Sequence, residues 1–506
     1  MSPVRHDPEH NFHARDVLAG LSVALVLIPQ SMAYAELAGM PGKNGLYAAA
    51  LPLVAAAFFA SSPYLQTGPG ALTALLTLGA LVPLAQTGSA EYVALAALLA
   101  LLVGLARVGV GLFRAGWLSY LMSRPMLTGF TSGAAILIIA SQIPGGVGSA
   151  VSEGGVLARA LWALSHPSSW ELASIVLCAA TVAIIRGGRS FHPLLPGVLV
   201  AAAVGWVFSV ATGYTGPRVG EVVGGLPRLT VDLPWSRVPT LVLPAAVIAL
   251  VGFAEAASIG RLFASEDRDR WDPDREFVSQ GAANLVAGLT GGFPVGGSFA
   301  RSSLNRLAGA RSRWSGLVSG VAVLVFLPFA GVLEPLPRAV LSGIVIAAVW
   351  NLLKPREFFG LWSLSRPQAL VGWSTAALTL ALAPHVEHAV LLGILTAGAV
   401  HLWRELSPGV EMSREGGTLH LHLKGVLWFG SAAALEDEVF RCLSAERDVS
   451  AMVLHCGGLG RIDLTGALSL AEIVEQVRAA GLEARVEGVP FHARRVLTGV
   501  GVMDAG

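Results

Sequence analysis

Phe293-Pro294-Val295-Gly296-Gly297-Ser298 lies where an apolar run should continue across a membrane, and Thr67-Gly68-Pro69-Gly70-Ala71 does the same in the first half of the chain. Proline has no backbone N–H, and glycine weakens a helix interior. Hydrocarbon offers no water to satisfy the backbone groups that such residues free. Non-helical backbone at membrane depth therefore persists only where it is buried in protein or lines a cavity. A pair of interrupted segments, one in each half, marks the binding site of a transporter. The two stretches predict a protein that moves a small solute across a membrane.

Composition agrees. The 506 residues are 54% hydrophobic and 13% charged, with mean hydropathy +0.65, against about 25% charged in ordinary soluble chains. Residues 410–506 hold 22 of the 67 formally charged side chains, which separates a small soluble part from a large membrane part. The net charge of +1 comes without a basic patch or stripe, so no nucleic-acid partner is expected. Met1 to Asp16 is polar and lacks a short apolar core with a cleavage site, so no cleaved signal peptide is expected. Cys178, Cys442 and Cys456 match no zinc or redox spacing and suit a reducing cytosol.

Runs of about 20 apolar residues are needed to cross a bilayer. They occur near 15–35, 45–60, 92–112, 125–143, 170–186 and 194–212, and again near 240–262, 276–290, 314–333, 338–353, 369–384 and 386–404. With the broken segments at 63–84 and 293–309, each half has seven spans, fourteen in all. An odd number per half means that similar halves enter from opposite sides, an inverted repeat. The fold class expected is thus an α-helical polytopic membrane protein. It has a cytosolic segment at 1–14, a transmembrane domain at 15–405 (repeat one about 15–212, repeat two about 240–405) and a small cytosolic α/β domain at 410–506. With the N-terminus inside, nineteen Arg and Lys collect on one set of loops and flanks, Arg107 and Arg301 among them, against six on the other. The positive-inside rule then puts both termini in the cytoplasm of a bacterial-type inner membrane. In the soluble part, Thr418–Phe429 reads as strand or hairpin, Ala433–Leu443 as helix, Met452–Cys456 as strand, Ala467–Ala480 as helix, Ala484–Val489 as strand and His492–Leu497 as helix.

Ile28-Pro29-Gln30-Ser31-Met32-Ala33-Tyr34-Ala35 resembles the opening signature of the sulfate permease (SulP) anion transporters. Phe293 through Asn305, continued by Gly309-Ala310-Arg311, is similar to their second interrupted helix, and Ile462-Asp463-Leu464-Thr465-Gly466 resembles the loop of the STAS domain that follows it. The three matches stand in family order along nearly the whole chain. The resemblance implies core and gate domains, a homodimer, an anionic substrate and elevator-like movement of core against gate. Leu464 departs from it, standing where many relatives carry a hydroxyl residue, which weakens a phosphorylation switch at Thr465. The soluble domain is expected to regulate or to bind a cytosolic partner.

The residues themselves also point to an anion. Helices starting after Gly70 and after Gly297 would aim two N-termini at the membrane middle, each with about half a positive charge and free N–H groups. The amides of Ala71 and Leu72 on one side, and of Ser298 and Phe299 on the other, are the expected ligands. The Ser298 hydroxyl could cap its helix or donate to the anion. Gln30 could face the same cavity or join helices, and Tyr34 could gate or pack. Glu255, inside the apolar run Ile248–Ile259, is a functional-site candidate by position. It is assigned as the proton carrier, with pairing to an arginine as the alternative; Glu36 is expected at the interface. Arg301 would set the local field, unless it faces the cytoplasm or pairs with Glu255. His385 and His388 flank Glu387 in what reads as a solvated loop, so no metal is assigned there, and protons are the only cofactor-like species expected. No catalytic constellation or phosphate loop is present, so an enzyme is not expected. The sequence reading is a secondary transporter of carboxylate, sulfate, bicarbonate or chloride, coupled to protons. Its rivals are a nucleobase-type permease, for which residues 282–289 offer only Asn284, and an anion-gated sensor signalling through the soluble domain.

Overall fold

The computed structural model describes residues 12–502 apart from 121, 151–153, 193, 221, 223, 407–408 and 447. The segment assigned to 1–14 lies outside the described residues up to residue 11. The chain divides into two compact units, Met1–Ile394 and Leu395–Gly506.

The first half runs α1 (Ala14–Leu37), α2 (Gly42–Ala49), α3 (Leu51–Phe59), β1 (Thr67–Gly68), α4 (Ala71–Leu81), α5 (Ala90–Leu112), α6 (Arg124–Val147), α7 (Val156–Ser165), α8 (Leu172–Phe191) and α9 (Gly197–Thr212). The second half follows with α10 (Val238–Asp267), α11 (Pro273–Leu289), β2 (Gly296–Gly297), α12 (Phe299–Leu307), α13 (Trp314–Phe326), α14 (Arg338–Val349), α15 (Pro355–Leu364), α16 (Arg366–Ala381) and α17 (Val386–Glu405). Both halves place a two-residue strand and a short helix after their opening helices. Seven helical stretches among the described residues are long and apolar enough to cross a membrane; α4, α7, α8 and α9 are shorter apolar helices.

The run at 45–60 divides into α2 and α3 at Ala50 instead of forming one helix. Pro52 accounts for the break: it has no N–H to continue the ladder of α2, and it sits in the first turn of α3, where proline is tolerated. The short helices α7 and α15 lie between the expected spans. Close approaches are made at small residues. A Cβ on Gly129 of α6 would fall 2.0 Å from the Gly372 carbonyl oxygen of α16, and one on Gly104 of α5 would fall 2.7 Å from the Leu285 nitrogen of α11. Interiors packed in lipid gain from such backbone proximity, because association there relies on van der Waals contact.

The second unit is an α/β domain: β3 (Gly409–Glu415), β4 (Thr418–Leu427), α18 (Ala432–Ala445), β5 (Ala451–Ile462), α19 (Leu464–Ala479), β6 (Glu483–Glu487) and α20 (Phe491–Gly499). Its sheet order is β3-β4-β5-β6, with β3 antiparallel to β4 and the rest parallel. Leu419, Leu421 and Leu423 alternate into a core shared with Leu435, Val439, Leu470 and Ile473 of the helices, the period-2 pattern of a one-sided sheet. The polar, exposed β3 gave no such alternation and was missed. Asp463 caps α19 by accepting from the Gly466 N–H at 2.7 Å, so the helix starts at Leu464, three residues before the expected Ala467.

Candidate functional site

Thr67 pairs with Gly297 and Gly68 with Gly296, antiparallel. This miniature ladder satisfies backbone that neither broken segment can satisfy alone, and it brings the starts of α4 and α12 together. Side chains complete the scaffold. Arg107, fully buried, donates from Nη1 to the Val295 carbonyl at 2.7 Å, and from Nε and Nη2 to the carbonyls of Ala249 and Ile248, both at 3.1 Å. Asn284 accepts from the Val295 N–H at 2.9 Å and donates to the Val295 carbonyl at 3.0 Å. Gln280 donates to the Thr67 hydroxyl at 2.6 Å. These bonds supply what hydrocarbon cannot. They also commit Asn284, the side chain on which a nucleobase reading depended, to the backbone.

The two helix starts are not equivalent. At α4, Gly70 is the extended N-cap and no side chain caps it. Among the described residues, the N–H groups of Ala71 and Leu72 meet no protein acceptor. At α12 the ends are taken: the Ser298 N–H donates to the Gln66 carbonyl at 3.1 Å, and the Phe299 N–H donates to Glu255 Oε1 at 3.3 Å. In this conformation both amides already have protein partners. The Glu255 carboxyl thus occupies that helix start. The Ser298 hydroxyl does not cap α12, which removes that alternative.

Arg301 lies on α12 one turn from its start and is 1% exposed. It does not face the cytoplasm. Its Nη1 donates to Gln30 Oε1 at 3.2 Å, and Gln30 Nε2 donates to the Tyr34 hydroxyl at 3.0 Å. Its Nε and Nη2 have no hydrogen-bond partner. A Cβ on Gly68 would lie 3.4 Å from Nη2, an ordinary contact distance, so the guanidinium rests beside β1. A buried cation with two bare N–H directions is costly unless something accepts from it. An anion between the open start of α4 and Arg301 would meet donors from both.

Gln30, Gly70, Ala71, Leu72, Gly297, Ser298, Phe299, Glu255 and Arg301 thus gather around the strand pair. Glu36 stands apart, 3.6 Å from Arg338. Sequence reasoning missed the scaffold role of Arg107 and Gln280. It counted Arg107 among membrane flanks, and a charge inside the apolar helix Ala90–Leu112 was the overlooked signal. Removing Arg107 and Arg301 from the flank tally leaves seventeen against six. Nor is the His385–His388 run a solvated loop throughout, since Glu387 is 4% exposed.

Two half-helices meeting at a strand pair, with a cation beneath, define a membrane transport domain of the broken-helix kind. The chain belongs to the sulfate permease family, whose sequence profile matches residues 14–375, and it carries a STAS domain over residues 409–505. It is 34% identical over 392 residues to a Mycobacterium tuberculosis protein named as a probable sulfate transporter, covering 76% of this chain and 69% of that one. It is 27% identical to the chloroplastic sulfate transporter 4.1 of Arabidopsis thaliana, covering 93% and 74%. Its fold matches the murine solute carrier 26 family member A9 anion transporter with a TM-score of 0.87 at 19% identity, over 98% of this chain and 89% of that one.

Proposed function

We propose that the protein is a secondary transporter of small inorganic or carboxylate anions that couples uptake to protons through Glu255. The observation that carries the reading is the buried Arg301, with bare Nε and Nη2, beside the open start of α4. Names of relatives support the substrate class. Several are sulfate transporters, and the transmembrane domain of a cyanobacterial bicarbonate transporter matches 77% of this chain with a TM-score of 0.66 at 25% identity. Glu255 supports coupling because it holds the Phe299 N–H; a proton on the carboxylate would loosen that bond and open the second helix start.

Within this reading the fourteen spans form two inverted repeats at about 15–212 and 240–405, and the domain over 410–506 regulates or binds a cytosolic partner. Both termini are cytoplasmic, the protein is a homodimer of the inner membrane, and the core moves against the gate. The test is uptake into proteoliposomes of labelled sulfate, bicarbonate, chloride and dicarboxylates, with and without an inward proton gradient. Saturable, gradient-stimulated uptake that loses its stimulation in Glu255→Gln is expected. Uptake indifferent to the gradient removes the coupling role, and absence of any anion flux from folded protein refutes the transport reading.

A further inference from the structure

We propose that His385, Glu387 and His388 form a binding site for one divalent transition-metal ion of the zinc class, and that filling it slows transport. Glu387 Oε1 lies 3.1 Å from His385 Nδ1 and 3.5 Å from His388 Nδ1. The three ligand atoms all lie within 4.8 Å of one another. Tetrahedral zinc with ligand bonds of about 2.0–2.2 Å holds its ligand atoms about 3.3 Å apart, and the two measured separations bracket that value.

Burial supplies the second line of argument. Glu387 is 4% exposed, and its Oε2 has no hydrogen-bond partner. A carboxylate oxygen withdrawn from water and left bare is unfavourable, and two half-exposed histidines on Oε1 leave it so. A metal ion gives the carboxylate a full counter-charge. The route in is open, because the side chains of His385 and His388 are 48% and 51% exposed. A hydrated ion can enter from solvent and keep water at its remaining position. Two imidazoles and one carboxylate suit zinc, cobalt or nickel, whereas magnesium and calcium prefer all-oxygen shells.

The position of the cluster links it to transport. It opens α17, and the Pro384 carbonyl just before it sits 2.3 Å from where a Cβ on Gly79 would be. Gly79 belongs to α4, whose first turn carries the free Ala71 and Leu72 amides. Cross-linking His385 to His388 through a metal stiffens the segment against which α4 rests.

Zinc alone is titrated into purified full-length protein against a competing indicator. Wild type should bind one zinc per chain more tightly, by at least about tenfold, than the His385→Ala/His388→Ala double variant. Both histidines are half-exposed, but the double variant strips the buried Glu387 of both imidazole partners, so its thermal melting and zinc-free uptake are measured first. Glu387→Gln, which leaves no buried carboxylate, is the second variant on which the affinity comparison rests. A Glu387→Gln variant that keeps the histidines should also lose affinity. Uptake by wild type should fall saturably with zinc while the double variant resists. Equal binding by wild type and double variant overturns the site. Tight binding with unchanged uptake overturns the link to α4. The binding measurement needs no flux, so failure of the transport reading would be told apart from failure of the metal site.

Discussion

Arg301→Gln tests the anion site most directly. The substitution removes the charge and the two bare donors while leaving a polar side chain, one too short to reach Gln30 as the guanidinium does. Hydrogen bonds to charged groups contribute about 1.5–3 kcal/mol each, so losing one such bond to the anion weakens binding about 10- to 150-fold. Anion-dependent thermal stabilisation reads this without requiring flux. At an anion concentration of about 100 times the wild-type dissociation constant, binding stabilises the folded state by about 2.7 kcal/mol. A variant weakened about 100-fold retains only about 0.4 kcal/mol at that concentration. The shift in melting temperature on adding anion should therefore nearly vanish. Arg301→Lys should recover part of it, since a lysine restores the charge but not the planar fork. An undiminished anion-induced shift in folded Arg301→Gln protein would refute the assignment.

Other consequences follow from the packing and the soluble domain. Gly129→Ala places a methyl group 2.0 Å from the Gly372 carbonyl oxygen and should destabilise the membrane unit by about 1–3 kcal/mol, read as a lower unfolding temperature in detergent. Arg107→Met leaves the carbonyls of Val295, Ala249 and Ile248 without this donor; both stability and uptake should fall, whereas a flank residue would change neither. In the STAS domain, burial, followed by the neighbouring His422 and His420 and against the pull of Glu487, holds the His455 pKa below its ordinary value. The unfolded chain then binds more protons, so this contribution is intact above about pH 6.5 and is lost as the pH falls through the lowered value. Urea midpoints of the excised domain at pH 7.5 and 5.5 should drop more for wild type than for His455→Gln.

Much of the membrane unit was legible because each span announces itself by length and apolarity, and each break by proline or glycine. The strand pair was legible only as two breaks, since Thr67 and Gly297 carry no mark that they pair. The partnership of Arg301 with Gln30 escaped for the same reason. Side chains far apart in sequence meet there, and a lone arginine on a short polar helix reads equally as a flank. Glu255 was found by its isolation among apolar residues. Its hold on the Phe299 N–H depends on how α10 crosses α12, which local pattern does not encode. Burial of Glu387 likewise depends on what α17 packs against, so its two histidines made the run look wetter than it is.

The pairing of Thr67 with Gly297 has a consequence for how the protein is made. The partners lie about 230 residues apart along the chain. At about 5–20 residues per second of synthesis, the first broken segment waits about 12–46 s before its mate exists. Until then its backbone lacks the ladder that lets it rest at membrane depth, however well the neighbouring helices have inserted. Assembly of the first half is thus finished by the second, and a ribosome stalled between residues 213 and 290 would leave a membrane-inserted product whose first broken segment has no strand partner.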